Sequence, residues 1–174
     1  MQWTKNALDA IKAASQCAMQ LGHDHVAAEH ILLAILAMPE CQASRRLTCL
    51  GLSLDELSTS LRTMINGGQQ GVLIKGELPL SARTRRILKF AEIEAQKEDA
   101  VGTEHIVAAL LAEGDNPGAQ LLFNVGVTLN SFKTAATQPS SKKIQGNDEV
   151  KAQKEPSAND EGDENADEDE EGES

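Results

Sequence analysis

The dipeptide Glu-His occurs twice in this chain, as Glu29-His30 and Glu104-His105, each time at the head of an apolar run. A carboxylate beside an imidazole can serve acid–base chemistry or ligate a metal. The metal reading is strongest at the first pair, where His23, His25, Glu29 and His30 crowd eight positions. At the second pair only Glu104 and His105 are retained, so His30 and His105 are read as packing and hydrogen-bonding residues and no metal is expected. A glutamate in the first turn of a helix also has a simpler role, because the macrodipole favours it by about 0.3–1 kcal/mol. Cys17, Cys41 and Cys49 are odd in number and lack C-x-x-C spacing, which suggests neither a disulfide framework nor a zinc site. They are read as reduced, semi-buried helix residues, with a reactive thiol as the sharper alternative. No Ser/His/Asp set, catalytic Cys/His pair or G-x-x-x-x-G-K-[ST] loop occurs, so neither catalysis nor a cofactor is expected.

Both Glu-His pairs belong to an internal duplication. At an offset of 75, Ala28-Glu29-His30-Ile31 matches Thr103-Glu104-His105-Ile106, Leu36 matches Leu111, and Leu50-Gly51-Leu52-Ser53-Leu54 matches Val125-Gly126-Val127-Thr128-Leu129. Upstream the offset becomes 77, aligning Thr4 with Ser81, Ile11 with Leu88, Ala14 with Ala91 and Ala18 with Ala95. The second copy has therefore lost two residues in one connection, Leu21-Gly22-His23-Asp24-His25 in copy one against Lys97-Glu98-Asp99-Ala100 in copy two. A loop between helices tolerates that change best.

Each copy reads as four helices, giving an all-α, eight-helix domain over residues 1–137: repeat one at 4–65, a loop at 66–80 and repeat two at 81–137. In the first helix Leu8, Ile11, Ala14, Ser15, Ala18 and Leu21 recur at helical spacing, and Gly22 is the expected C-cap. The second helix, about Glu29 to Met38, is apolar on most faces and should be the buried centre, ending before Pro39. The third, near Glu40 to Leu50, ends at Gly51. The fourth opens with Ser53 as N-cap and Glu56 three residues on, a capping box. In copy two Thr128 keeps the cap while Ser131 replaces the glutamate, which predicts that the reciprocal bond is lost. Thr103 reads as the N-cap of its helix and Ala28 as a missing cap, a difference of about 1 kcal/mol.

Charge divides the chain again. Residues 148–174 hold 13 Asp/Glu and 2 Lys, a balance of 2 − 13 = −11, whereas residues 1–147 have 14 charges of each sign. With no aromatic and almost no large apolar side chain after Val150, this segment cannot bury enough surface to offset ordering entropy. Residues 138–174 are thus expected to be a disordered linker and acidic tail, a solubilising extension or one that competes for basic surfaces. Arg83, Arg85, Arg86 and Lys89 make one helix basic, but a neutral folded part almost without aromatics argues for a solvated face rather than nucleic acid, with the chain's own acidic tail or an acidic partner as the alternative occupant. The longest apolar run, Ile31 to Met38, has eight residues against roughly 20 for a membrane span. The first residues carry charges and no apolar stretch of the secretory type, so a cytoplasmic location is expected.

The combination of Trp3-Thr4, Leu21-Gly22-His23, Glu29-His30-Ile31-Leu32-Leu33 and Leu50-Gly51-Leu52 resembles the Clp N-terminal repeat domain of Clp-type AAA+ unfoldases. Leu80-Ser81-Ala82-Arg83, Gly102-Thr103-Glu104-His105-Ile106 and Val125-Gly126-Val127 carry the resemblance in the second copy. It implies two tandem four-helix repeats packed about a pseudo-twofold, standing here without ATPase modules. It also implies a non-catalytic role in binding substrates, adaptors or Clp subunits. The alternative is a helical scaffold whose partner is unrelated to proteolysis. Some members of that family bind phosphorylated arginine, with the motif glutamate on the guanidinium and the hydroxyl at the start of the first helix on the phosphate. By that resemblance the two pockets would be Thr4 with Glu29 and Ser81 with Glu104. Copy two departs from the family pattern, with Ser81-Ala82 where Thr-Pro is usual.

Overall fold

A computed structural model of the chain describes residues 1–66 and 76–135. The expected linker and acidic tail at 138–174, and the centre of the inter-repeat loop at 67–75, lie outside the described residues. Copy one supplies α1 (Lys5–Gln20), α2 (Ala28–Leu36), α3 (Gln42–Cys49) and α4 (Leu54–Ile65). Copy two supplies α5 (Ala82–Glu94), α6 (Thr103–Glu113), α7 (Pro117–Asn124) and α8 (Leu129–Thr134). The architecture is all-α, as expected, with one small addition. Strand β1 (Gln2–Trp3) pairs in parallel with β2 (Ala100–Val101), joining the start of copy one to the segment that precedes α6.

The second helix of each copy forms the centre: every residue of α2 except Glu29, and α6 from Thr103 to Leu111, is buried. The seam that α1 presents to this centre keeps the predicted Ala14 and Ala18, with Ile11 and Leu21 packed at its edge, but gains Ala7 and Ala10 and loses Leu8. Ala7, Ala10, Ala14 and Ala18 are fully buried, while Leu8 is 44% exposed. α5 repeats the pattern in register with Thr84, Ile87, Ala91 and Ala95. The innermost stripe of α1 is thus the alanine row, with the larger apolar side chains at its edges.

The predicted loss of a reciprocal cap in α8 is also corrected. Ser131 Oγ accepts from Thr128 N at 2.9 Å while Thr128 Oγ1 accepts from Ser131 N at 3.1 Å, so copy two closes both halves of the box. At α4 only the forward bond, Ser53 Oγ from Glu56 N at 3.3 Å, is formed among the described residues. The serine hydroxyl is short enough to turn back onto the cap backbone. Of the three cysteines, Cys17 is half-buried, Cys41 buried and Cys49 exposed. Burial pushes the Cys17 thiol up, the direction of an inert thiol.

Candidate functional site

The two Glu-His pairs sit at the N-termini of α2 and α6, and the histidines perform the capping. His30 Nδ1 accepts from Ala27 N at 2.8 Å, and His105 Nδ1 accepts from Gly102 N at 2.9 Å. Ala27 and Gly102 are the N-cap residues and neither offers a capping side chain. Ala28 and Thr103 lie one position inside their helices, so the expected missing cap in copy one is corrected: the imidazole satisfies the same backbone N–H in both copies. Thr103 has another task. Its Oγ1 accepts from Ala43 N at 3.2 Å, near the start of α3, whose own N-cap Cys41 makes no capping bond. In copy two the position aligned with Cys41 is Asn116, which caps α7 itself through Ala119 N at 2.8 Å.

Because Nδ1 of each histidine accepts a backbone N–H, the ring proton lies on Nε2. His30 donates it to His23 Nδ1 at 2.6 Å. His105 places Nε2 3.2 Å from Glu98 Oε1. Gly22, at φ +74°, makes the first arrangement possible: it reverses the chain after α1 so that His23 N bonds Ala18 O at 2.9 Å, a Schellman turn that delivers His23 to His30. Burial, then the neighbouring His23 and His25, push the His30 pKa down to about 4.

These tautomers bear on metal binding. Among the described residues, Glu98, Glu104 and His105 bring three potential ligand atoms within 4.8 Å of one another. The His105 lone pair is already taken by Gly102 N–H, and its other nitrogen carries a proton aimed at Glu98. The 3.7 Å approach of Glu104 Oε1 to Nδ1 is therefore not an ion pair. The donor set suits hydrogen bonding rather than ligation. In copy one His25 turns to Asp24 Oδ1 at 2.6 Å, and that hydrogen bond holds the Asp24 carboxyl below its usual range.

The starts of α1 and α5 are bonded through their backbones to the other copy. Thr4 N donates to Val101 O at 2.9 Å, three residues before Glu104, and Ser81 N donates to Val26 O at 3.0 Å, three residues before Glu29. Thr4 and Glu29 are at opposite ends of α1, whose 16 residues span about 24 Å. These backbone bonds bring the start of α1 to the segment before α6, and the start of α5 to the segment before α2, rather than joining the two ends within one copy. The signal missed in the sequence was the pairing of Trp3 with Val101 in a two-residue strand and of Leu80 with Val26 in a single bridge, both too short to announce themselves.

The two corners differ inside. Thr4 Oγ1 accepts from Ala7 N at 3.2 Å, and no described acceptor takes its proton. Ser81 Oγ accepts from Thr84 N at 3.0 Å and lies 2.8 Å from Thr84 Oγ1. Since Thr84 donates its own proton to Val26 O, the Ser81 proton is committed to Thr84. Glu29 is half-buried, whereas Glu104 is only 9% exposed. Gly102 accounts for this: a Cβ there would stand 2.3 Å from both Glu104 carboxylate oxygens, so that carboxylate folds back over its own helix start. Ala27 holds the equivalent place in copy one.

A duplicated all-α domain with paired, cross-linked helix starts is the class of protein that this geometry defines. The model of the Clp repeat (R) N-terminal domain matches residues 2–122, and the chain belongs to that family. It is 30% identical over 139 residues to the negative regulator of genetic competence ClpC/MecB of Bacillus subtilis, covering 79% of this chain and 17% of that protein. It is 33% identical to an ATP-dependent Clp protease ATP-binding subunit, a ClpA homolog, of Cyanidium caldarium, covering 76% and 16%. The chain therefore spans about a sixth of the length of these relatives. In fold it is similar to the Hsp104 N-terminal domain of Candida albicans, with a TM-score of 0.66, 20% identity, and 78% and 89% of the two chains covered. It is also similar to a ClpV N-domain in complex with a VipB peptide, with a TM-score of 0.60, 16% identity and coverage of 79% and 91%. No described helix is long and apolar enough to cross a membrane.

Proposed function

We propose that the chain is a non-catalytic protein-binding domain that acts as an adaptor or modulator of Clp-type ATP-dependent unfolding and proteolysis. Its partners are a Clp-type AAA+ ATPase, adaptor proteins, or unfolded or tagged substrates, and its site of action is the cytoplasm. One observation carries this reading: each corner sets a hydroxyl from the start of one copy's first helix against the carboxylate-bearing helix start of the other copy. Helix N–H groups and a hydroxyl suit a phosphate, and a carboxylate suits a guanidinium, so the corners are matched to phosphoarginine or to an arginine beside an anionic group. Membership of the family and the peptide complex of a ClpV N-domain support the same role.

The test is titration calorimetry of the full chain with a phosphoarginine-containing peptide and with its unmodified arginine counterpart, together with a pull-down from cytosol using wild type and the Glu29→Ala, Glu104→Ala double variant. Preferential binding of the modified peptide, and a Clp ATPase or protease captured by wild type but not by the double variant, are expected. Capture of unrelated partners without dependence on either glutamate would make the chain a helical scaffold divorced from proteolysis.

A further inference from the structure

The duplication supplies an internal control for every surface position, because two aligned helices do the same structural work. α1 and α5 bury the same four registers, yet their outer faces differ. On α5, Arg86, Lys89, Phe90 and Ile93 fall on one face at helical spacing, and all four are exposed. Phe90 is 49% and Ile93 54% exposed. The aligned residues of α1 are Asp9, Lys12, Ala13 and Gln16. The fold therefore does not need an aromatic and a β-branched residue there, since copy one performs the same task without them.

Charge on α5 is sorted as well. Arg83 is engaged by Glu113 at 3.2 Å and Asp115 at 3.1 Å, and Arg85 donates to Leu80 O at 2.8 Å. Glu94 is held by Lys133 of α8. What remains along the strip is Arg86 and Lys89 beside Phe90 and Ile93, with half-buried Glu92 flanking Lys89. A phenylalanine and an isoleucine kept in water at adjacent turns, next to two exposed cations, suit a partner that brings apolar side chains and negative charge together.

We infer that the outer face of α5 is a docking strip for an acidic amphipathic helix of a partner protein, separate from the corners at Glu29 and Glu104. The partner's apolar side chains cover Phe90 and Ile93 while its carboxylates meet Arg86 and Lys89. Protein is favoured over a polyanion or an anionic membrane, because residues 1–147 are neutral in sum and the strip is only two turns long. Such a local patch reads a local motif but lacks the extended positive field that nucleic acid or lipid headgroups require.

Fluorescence anisotropy of the full chain tests this. The probe is a labelled leucine–glutamate peptide with leucines at i, i+3, i+4 and i+7. The comparators are its scrambled sequence, a leucine–lysine version, polyglutamate, oligo-dT and phosphatidylserine vesicles. The variants are Arg86→Asp and the pair Phe90→Ala, Ile93→Gln, each installing the residue that copy one already carries, and thermal melts check that they fold. The amphipathic acidic peptide should bind above all comparators, about tenfold more weakly to the Phe90/Ile93 pair. Its affinity for Arg86→Asp should be lower and less salt-dependent. Glu29→Ala with Glu104→Ala should leave it unchanged, which separates this strip from the corner pockets. Binding that ignores the three substitutions, equal binding of the scrambled peptide or polyglutamate, or preference for oligo-dT or vesicles would each overturn the inference.

Discussion

The two corners of the domain are built from the same parts and divide their assets oppositely. The Thr4 corner offers a hydroxyl whose proton is uncommitted, but its carboxylate, Glu104, is folded back over Gly102. The Ser81 corner offers the more open carboxylate, Glu29, but its hydroxyl is spent on Thr84. Duplication followed by divergence has thus left two sites that are related by symmetry and unequal in chemistry. The histidines diverge in the same way: one imidazole proton faces the His23 ring, the other the Glu98 carboxyl group.

The largest expected effect falls on the shared part. His30→Ala removes a buried side chain and strands Ala27 N–H, which should cost about 2–4 kcal/mol by chemical denaturation. His105→Ala strands Gly102 N–H in the same way and should fall in the same range. Acid acts on the first of these sites. His30 in the folded state titrates near 4, below the ordinary value of about 6.5 that it regains on unfolding. In that window the unfolded chain binds a proton that the folded chain refuses, so its contribution is intact above pH about 6.5 and lost progressively as pH falls towards 4. Unfolding measured from pH 7 to 4 should lose part of this slope in His30→Gln.

The exchanged cap gives a smaller effect. Thr103→Val should cost about 1 kcal/mol, because Ala43 N loses its acceptor at the start of α3. Cys41→Asn, which copies the self-capping arrangement of Asn116, should recover most of that loss in the Thr103→Val background and little in wild type. A loss that Cys41→Asn does not repair would show that Thr103 matters through packing instead. Least costly to stability is Gly102→Ala, whose Cβ must displace the Glu104 carboxylate towards the corner. It should strengthen phosphoarginine-peptide binding at the Thr4 corner several-fold, read in a Glu29→Ala background, and an unchanged affinity would remove the explanation offered for the inequality.

The eight helices could be read from the sequence because periodicity, glycine turns and the repeat all agreed, so that element type was specified twice over. What periodicity could not choose was the innermost residue of a broad apolar face: in α1 Ala7 and Ala10 are fully buried while Leu8 is left exposed. The candidate residues were visible as aligned pairs, but their partnership was not. Thr4 and Glu29 share a copy, yet the start of each copy meets the other through a two-residue strand pair and a single bridge that leave no pattern in hydropathy. The caps misread for a related reason. A histidine at the third helical position closes the helix start here, where a hydroxyl or carboxylate is the usual signal.

The central claim is that each binding corner is shared between copies, and a double-mutant cycle on phosphoarginine-peptide affinity tests it most directly. Thr4→Ala is combined with Glu104→Ala in one cycle and with Glu29→Ala in the other, with affinities taken by titration calorimetry. The account predicts a coupling of about 1 kcal/mol between Thr4 and Glu104 and simple additivity between Thr4 and Glu29. Coupling within the copy, between Thr4 and Glu29, would contradict it.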